Sequence, residues 1–129
     1  MTDLYEAFLQ HGKDARGELA YVEVPELGEA DGTPIRIYYY RGLDGNEFSA
    51  ILPHIEVETG TISPEGLFAA CRHVFRNEKG EQLFASDIKW NFAMRHYDPA
   101  LLLTILNRTD VLSAFFQEAA AGADEQKKF

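Results

Sequence analysis

The sequence has little cysteine, few basic residues and no long apolar run. Its one cysteine, Cys71, cannot form an internal disulfide and suits a reducing compartment. Twelve Lys and Arg stand against 21 Asp and Glu, and the net charge of -9 repels phosphate backbones, which argues against nucleic-acid binding. The apolar runs, such as 100–103, are far shorter than the ~20 residues that cross a bilayer. Residues 1–4 carry no basic leader, so we expect a soluble, intracellular protein without membrane partners.

Motifs that carry enzymatic chemistry are also missing. The sequence has no glycine-rich nucleotide-binding pattern, no HExxH zinc motif and no GxSxG nucleophile motif. Cys71 and His73 are two positions apart, and on a helix they would point about 200° apart, so they would not share a metal. Glu56 and Glu58 are better explained as a solvated acidic loop than as an acid–base pair. We therefore expect no catalytic site, no metal and no cofactor.

The composition is that of one globular domain with a short polar end. Apolar residues make up 46% of the 129 residues and charged residues 26%. A chain of this length is typical of a single domain, which we place at 1–122. After Gly122 the sequence is polar, and 123–129 is predicted to be a flexible tail.

The N-terminal third predicts one helix and two strands. A short helix is indicated by apolar residues that share one face: Leu4, Tyr5, Phe8 and Leu9. Gly12 can end this helix, and 13–18 is predicted to be a polar loop. A strand is predicted over 20–24, which is rich in strand-forming residues and stops at Pro25, and a second over 35–40, where side chains alternate between two faces. The segment 25–34 between them is either a long solvated hairpin loop or the crossover to a neighbouring strand.

The middle of the chain predicts two helices. Asp44 can cap the first, which stops at Pro53. Ser63 and Pro64 are a strong start signal for the second. Its apolar stripes comprise Leu67, Phe68, Cys71, Val74 and Phe75. An alternative for its end is a hairpin with strands at 72–76 and 81–84.

Three more helices are predicted in the C-terminal part. The first covers 86–96, with Ile88, Phe92 and Ala93 facing inward. Asp98 and Pro99 start the next, which runs to Leu106. Thr109 can cap the last helix, whose apolar stripe is Leu112, Phe115, Phe116 and Ala119. Together the elements predict an α+β fold in which mostly short helices pack on a small antiparallel β unit near the N-terminus.

Two groups of residues are candidate partner-binding surfaces. Arg36, Tyr38 and Tyr40 share one side of the second strand, and Arg and Tyr are enriched in binding hot spots. The alternative is that helices cover this side and the tyrosines belong to the core. Phe115 and Phe116 form the other group: one ring is expected to face the core, while the second can dock on a partner or another copy. Simple packing of both rings is the alternative.

Three segments of the chain together match the layout of a known protein family. The first is the opening V-x-V-P-x-x-G at 22–28, followed by the strand at 35–39. The second is the apolar helix at 67–71, followed by the charged glycine turn and Leu-Phe step at 77–84. The third is the C-terminal end, formed by Asp87 and the leucine-rich helices 99–106 and 111–116. In these segments the chain resembles the tail assembly chaperones of long-tailed, lambda-like bacteriophages, whose first strand pair is similar to the one predicted here.

The resemblance implies a non-enzymatic assembly factor that acts in the host bacterial cytoplasm and is absent from the mature virion. Members of the family bind the tape measure protein, keep it soluble and help tail-tube protein polymerise around it. Many are made in two forms, the longer one by a −1 ribosomal slip near the end of the short reading frame. Lys127 and Lys128 can be encoded by the slippery heptamer A-AAA-AAG, so we predict the frameshift point there, with an extension that recruits tail-tube protein.

Other classes of function remain open at this point. An acidic inhibitor that mimics DNA would need carboxylates spaced like phosphates on a rigid face, whereas many acids here fall in predicted loops. An enzyme whose site is assembled from distant residues is a further alternative, as is another small interaction module. Neighbouring genes for a tail-tube protein and a tape measure protein would favour the chaperone.

Overall fold

Within the part of the chain that the structure describes, the fold consists of six α-helices and three small antiparallel strand pairs. The computed structural model describes residues 3–56, 58–96 and 98–117. All the strands lie in the N-terminal half, so the α+β class predicted from the sequence is confirmed. Ala119, Lys127 and Lys128 lie outside the described residues, as does the whole predicted tail.

Helix α1 (Leu4–Arg16) is longer than predicted, and none of its residues is buried. Asp3 caps the helix by accepting a hydrogen bond from the N–H of Tyr5 at 3.1 Å. The prediction that Gly12 ends the helix and that a loop follows is wrong. A glycine costs a helix only about 1 kcal/mol, and good helix-forming residues follow it. The helix ends at Gly17, whose φ of 77° favours glycine.

The predicted hairpin is confirmed in strands β1 (Leu19–Glu23) and β4 (Arg36–Tyr40), which pair antiparallel. The register sets Tyr21 opposite Tyr38. Ile37 and Tyr39 point into the core, since alternate side chains of a strand face opposite ways.

The segment between these strands is a hairpin loop, which decides between the two predicted alternatives. The N–H of Val24 donates to the carbonyl of Ile35 at 2.7 Å and closes the loop. Inside it lie a 3-10 turn (Pro25–Leu27) and a small pair of strands, β2 (Glu29–Ala30) and β3 (Thr33–Pro34).

Helix α2 (Gly45–Ile51) begins at Asp44 as predicted. The Asp44 carboxylate accepts from the Glu47 N–H at 2.8 Å, and the Glu47 carboxylate accepts from the Asp44 N–H at 3.4 Å. A 3-10 turn (Leu52–His54) contains Pro53 and follows directly. A short antiparallel pair comes next, β5 (Ile55–Glu56) with β6 (Thr61–Ile62).

Helix α3 (Pro64–Val74) is capped by Ser63, whose hydroxyl accepts from the Gly66 N–H at 3.2 Å. Because α3 runs to Val74, the alternative strand at 72–76 is wrong. One residue of that alternative does pair, however: Arg76 bridges Tyr38 on one side and Gln82 on the other. The 76–82 turn therefore extends the edge of β4.

Helix α4 (Asp87–His96) packs on the core with a different face from the one predicted. Ala93 is buried as expected, but Ile88 and Phe92 are 84% and 62% exposed, so the prediction that they face inward is wrong. Trp90 takes their place, with its ring centre 5.3 Å from that of Phe84. The helix thus packs through Trp90 and Ala93, which are three positions apart on one face.

Helices α5 (Pro99–Arg108) and α6 (Val111–Gln117) complete the described chain. Asp98 caps α5 as predicted, accepting from the Ala100 N–H at 3.0 Å. The Thr109 hydroxyl accepts from the Val111 N–H at 3.3 Å and so caps α6. Among the described residues, no single helix has the length and apolar character needed to cross a membrane, although the bent pair α5 and α6, which meet at 65°, satisfies that test jointly.

The core lies where α3 and α5 pack on the inner side of β4 and on α2. Its side chains come from every one of these elements and from their neighbours: Val24, Ile37, Tyr39, Ile51, Ala70, Cys71, Val74, Phe75, Phe84, Ala93, Leu102, Ile105, Leu106, Val111 and Phe115. Burial of this set is the main source of stability, at about 25 cal/mol per Å² of apolar surface.

Candidate docking groove

The outer side of the hairpin carries an exposed stack of one arginine and two tyrosines. The guanidinium of Arg36 lies 4.3 Å from the ring centre of Tyr21, and the Tyr21 and Tyr38 ring centres are 5.7 Å apart. Glu23, opposite Arg36 in the register, reaches it at 4.0 Å. Among the described residues no helix covers this stack: Arg36 and Tyr21 are exposed, and Tyr38 is half-buried. Two of the predicted partner-binding residues thus remain accessible.

Tyr40, the third residue of that predicted set, belongs to a different environment. Its ring is flanked by two guanidinium groups, that of Arg16 at 4.3 Å and that of Arg76 at 5.2 Å. Both arginines donate to the same Oε1 atom of Glu47, at 3.3 Å and 3.4 Å. Tyr40 therefore forms part of an internal charged cluster, which gives it a structural role.

The pKa values of the two carboxylates in this cluster are shifted in opposite directions. Burial, followed by the nearby charge of Asp44, raises the pKa of Glu47 against the pull of Arg76 and Arg16. Burial also acts on Asp44, but the N–H of Glu47 and the guanidinium of Arg16 outweigh it and lower the pKa of Asp44. The cluster is thus one buried arginine, Arg76, and one half-buried arginine, Arg16, compensated by one accessible and one enclosed acid.

The same cluster attaches α1 to the rest of the fold. Arg16, in its last turn, donates to Asp44 at 3.2 Å as well as to Glu47. The Gly42 N–H donates to the Arg16 carbonyl at 3.2 Å. At Gly42 a Cβ would lie 2.4 Å from the Ala15 carbonyl oxygen, so only glycine permits this approach. Helix α1 is therefore held at its C-terminal end, and its apolar residues Leu4 and Phe8 stay exposed.

The predicted pair Phe115 and Phe116 is split between core and surface. Phe115 is 2% exposed and packs on Phe48, with ring centres 4.7 Å apart. Phe116 is half-buried and meets Phe115 edge-on at 6.1 Å. Phe115 is thus a core residue, and only Phe116 can contribute to a contact with another molecule.

An apolar cavity of about 460 Å³ lies beside α4 and α5 and opens to the surface. Its apolar wall is formed by Leu27, Ile37, Phe75, Leu83, Phe84, Leu101, Leu102 and Ile105. His96 and Asp98 are its two polar lining residues, and both are exposed. Cavities of this size, largely apolar with few polar groups, are typical of sites that receive large apolar groups.

A second recess of about 280 Å³ continues the first along α4. Leu83 and Phe84 line both recesses, and Ile88, Lys89 and Phe92 complete the second. The Phe92 ring of the second recess lies 4.3 Å from the His96 ring of the first, so the two recesses are adjacent along the helix. We call the two recesses together the α4 groove.

Ion pairs hold the walls of the α4 groove in place. Arg108, at the end of α5, donates to both carboxylate oxygens of Glu26 at 3.1 Å and 2.6 Å, and this anchors the turn that carries Leu27. The hydrogen bond from Arg108 also lowers the pKa of Glu26. On the other wall, Arg72 donates to the Phe84 carbonyl at 3.3 Å and pairs with Asp87. These contacts fix the positions of both groove walls within the fold.

The residues considered for catalysis lie apart from the groove. Burial raises the pKa of the Cys71 thiol to about 12, and the thiol donates to the Leu102 carbonyl at 3.6 Å. Burial also lowers the pKa of His73. Glu56 and Glu58 are exposed around the short β5–β6 turn. Over the described ranges, no group of three His, Cys, Asp or Glu is arranged to hold a metal ion.

The sequence contains the signal for this groove but not the direction in which it faces. Ile88 and Phe92 are four positions apart and share a helix face, which the pattern predicts to be the inner one. Trp90 and Ala93 form a second apolar face, and only the fold shows that this one packs inside. Searches of family models, curated proteins and solved structures find nothing that matches this chain.

Proposed function

We propose that this protein is a non-enzymatic assembly chaperone of the phage tail type. In this proposal it binds the tape measure protein, keeps it soluble and promotes assembly of tail-tube protein around it. It acts in the host cytoplasm and leaves before the virion is complete. The observation that carries the proposal is the α4 groove, an open apolar surface on a strongly acidic domain.

The groove suits an amphipathic helical segment of a client. Helix-in-groove recognition uses large apolar side chains at i, i+3 or i+4 and i+7, each filling a recess. The two recesses share a wall of Leu83 and Phe84, so neighbouring anchors of one helix can enter them together. A tape measure protein, very long and helical, would offer many such segments.

The charge of the domain supports the same function. A net charge of -9 gives mutual repulsion between copies, and a client covered by such domains would be kept from aggregating. The groove itself is lined mainly by uncharged side chains, with Lys89 and Asp98 at its margins. Apolar side chains thus provide the contact, and the acidic remainder provides solubility.

The arrangement of acids favours this function over a mimic of DNA. Such a mimic needs a free, regular row of carboxylates, but five acids in the described chain are paired with arginines: Glu23, Glu26, Asp44, Glu47 and Asp87. These pairs neutralise charge that a phosphate-like surface would present. They serve instead to fix the hairpin, α1 and the groove walls.

The proposal includes a longer form of the protein. Ribosomes that slip at Lys127 and Lys128 would add an extension while leaving the groove unchanged, because the groove lies between residues 27 and 105. Both forms would then bind the tape measure protein, and the extension would recruit tail-tube protein.

Co-expression with the cognate tape measure protein tests the proposal. The wild-type chain should form a complex and raise the soluble yield of the tape measure protein several-fold. The double substitution Ile88→Ser and Phe92→Ser should abolish both effects and leave stability intact, because both side chains are exposed. Met94→Ser is the matched control, since Met94 is a 39% exposed residue outside the groove lining. Absence of a complex with the wild type would refute the proposal.

A further inference from the structure

The strand pair β1–β4 has two edges, and the edge of β4 is paired with another segment of the chain. There the Tyr38 N–H donates to the Arg76 carbonyl at 3.0 Å, and the Arg76 N–H donates to the Tyr38 carbonyl at 2.8 Å. Because both backbone groups of Tyr38 point away from β1, Tyr38 and its partner Tyr21 exchange no hydrogen bonds across the ladder. The N–H and carbonyl of Tyr21 therefore point away from β4, and so do those of Leu19 and Glu23, since the pattern alternates along a strand.

We call the outward backbone groups of Leu19, Tyr21 and Glu23 the β1 edge. Across the described ranges, only the Glu23 carbonyl among these groups has a hydrogen-bond partner, the Arg108 guanidinium at 3.4 Å. Tyr21 and Glu23 are exposed residues. The β1 edge therefore presents a row of donors and acceptors to which a further strand can pair.

The β1 edge also lacks the features that commonly keep an edge strand from pairing. Strand β1 contains no lysine and no proline, and its register with β4 runs through five consecutive pairs without a bulge. On the core side of the same strand, Ala20 and Val22 are only half-buried. An added strand would pair the outward backbone groups and also cover these two apolar side chains.

The charge around β1 indicates which kind of strand fits. Exposed carboxylates, Glu18 and Glu23, lie at its two ends, and the strand itself carries no base. Arg36 reaches Glu23 at 4.0 Å, whereas no described residue forms an ion pair with Glu18. A second copy would bring one net charge of -9 against another and add its own two acids to the new strand pair. Like charges thus disfavour a second copy, and a basic segment is the complementary partner.

We propose that the β1 edge binds an extended, basic segment of another protein by strand addition. The backbone of that segment pairs with Leu19 and Tyr21, and its alternate apolar side chains cover the core side of β1. Lysines or arginines of the segment lie near Glu18 and Glu23. The site is separate from the α4 groove, because β1 contributes no residue to the lining of either recess. It therefore goes beyond the proposed client contact, and either site can bind without the other.

Amide hydrogen exchange, measured by NMR on the wild type, tests the pairing directly. The probe is the acetylated and amidated peptide KVTVRVK, whose valines alternate with polar and basic residues. Saturating peptide should slow exchange of the Tyr21 N–H at least ~10-fold, because a paired N–H exchanges only when the strands open. The Val22 N–H already faces β4 and should change much less. Unchanged exchange at Tyr21 would refute the proposal.

Two variants at one position separate backbone pairing from side-chain contact. Tyr21→Pro removes an outward donor but no hydrogen bond to β4, so titration calorimetry should show that binding of KVTVRVK is lost. Tyr21→Thr is the matched control: it also removes the ring but keeps the N–H, and it should bind within ~3-fold of the wild type. Equal binding by the two variants would overturn the proposal. The exchange measurement needs only the wild type, so it decides the question even if Tyr21→Pro fails to fold.

Two further comparisons test the charge and the location of the site. The acidic peptide EVTVEVE should bind at least ~10-fold more weakly than KVTVRVK, and Glu18→Lys should narrow that difference. The groove variant with Ile88→Ser and Phe92→Ser should bind KVTVRVK as the wild type does. Loss of binding in this variant would place the peptide in the α4 groove and overturn the proposal. Slower exchange at Tyr21 on raising the protein concentration alone would also overturn it, because a second copy would then occupy the edge.

Discussion

Arg76 donates to Glu47 at 3.4 Å in an ion pair whose side chains are only 10% and 4% exposed. The same Glu47 oxygen accepts from Arg16 of α1 at 3.3 Å. One carboxylate therefore compensates two guanidinium groups, one from the 76–82 turn and one from the N-terminal helix. Elements that are distant in the sequence are joined through a single oxygen atom.

Removal of Arg76 should destabilise the protein strongly. Arg76→Met leaves Glu47 enclosed with one partner fewer and removes the hydrogen bond to the Gly80 carbonyl at 2.7 Å. We expect the free energy of unfolding in urea to fall by about 3 kcal/mol. Adding Glu47→Gln should recover part of the loss, because the buried carboxylate that has lost one of its two arginines disappears. Strictly additive losses in this double-mutant cycle would contradict the coupling.

The enclosed carboxyl group should give stability a specific pH dependence. The pKa of Glu47 is raised by burial above its ordinary 4.5, so the folded protein holds this proton more tightly than the unfolded chain. The wild type should therefore lose stability relative to Glu47→Gln as the pH rises through the window that begins near 4.5. Urea unfolding of both proteins from pH 4 to 7 checks this, and a difference that grows in the opposite direction would exclude a raised pKa.

The contact between Gly42 and α1 should not tolerate a side chain. In Gly42→Ala the new Cβ would be 2.4 Å from the Ala15 carbonyl oxygen, so the end of α1 must shift. We expect a loss of about 1–3 kcal/mol and faster amide hydrogen exchange throughout α1. Gly45→Ala is the control: no atom lies within 4 Å of its Cβ, and alanine favours the first turn of α2. Equal exchange rates in the two variants would show that α1 is not held there.

The proposed frameshift makes a prediction about the gene. Codons 127 and 128 should lie within a slippery heptamer such as A-AAA-AAG, and the −1 frame should stay open beyond them. Mass spectrometry of the expressed native gene should then detect a minor, longer product that shares the domain. Recoding the two lysines with AAG-AAG should remove the longer product but leave the short one.

Local signals in the sequence were enough for most elements of the fold. The caps at Asp44, Ser63 and Asp98 depend on residues within three positions, and the structure has all of them. The β1–β4 pairing follows from the alternation at 35–40, because one face of a strand pair must be covered. These features need no knowledge of distant parts of the chain.

The candidate site could not be predicted in the same way. Periodicity shows that Ile88 and Phe92 share a face. Which face of the helix meets the core depends, however, on the packing of Trp90 against Phe84. The cluster around Glu47 likewise joins Arg16 and Arg76, which are 60 positions apart in the sequence. Surfaces assembled from several elements are set by tertiary packing, which a single sequence does not encode locally.

The two apolar faces of α4 are under different evolutionary constraints. Trp90 and Ala93 face the core and are constrained by folding, so substitutions there are selected against whatever the partner. Ile88 and Phe92 contribute little to folding, since most of each side chain is in contact with water. They are free to vary with whatever they bind. Among divergent relatives we therefore expect positions 88 and 92 to change together with the partner, while positions 90 and 93 keep their size.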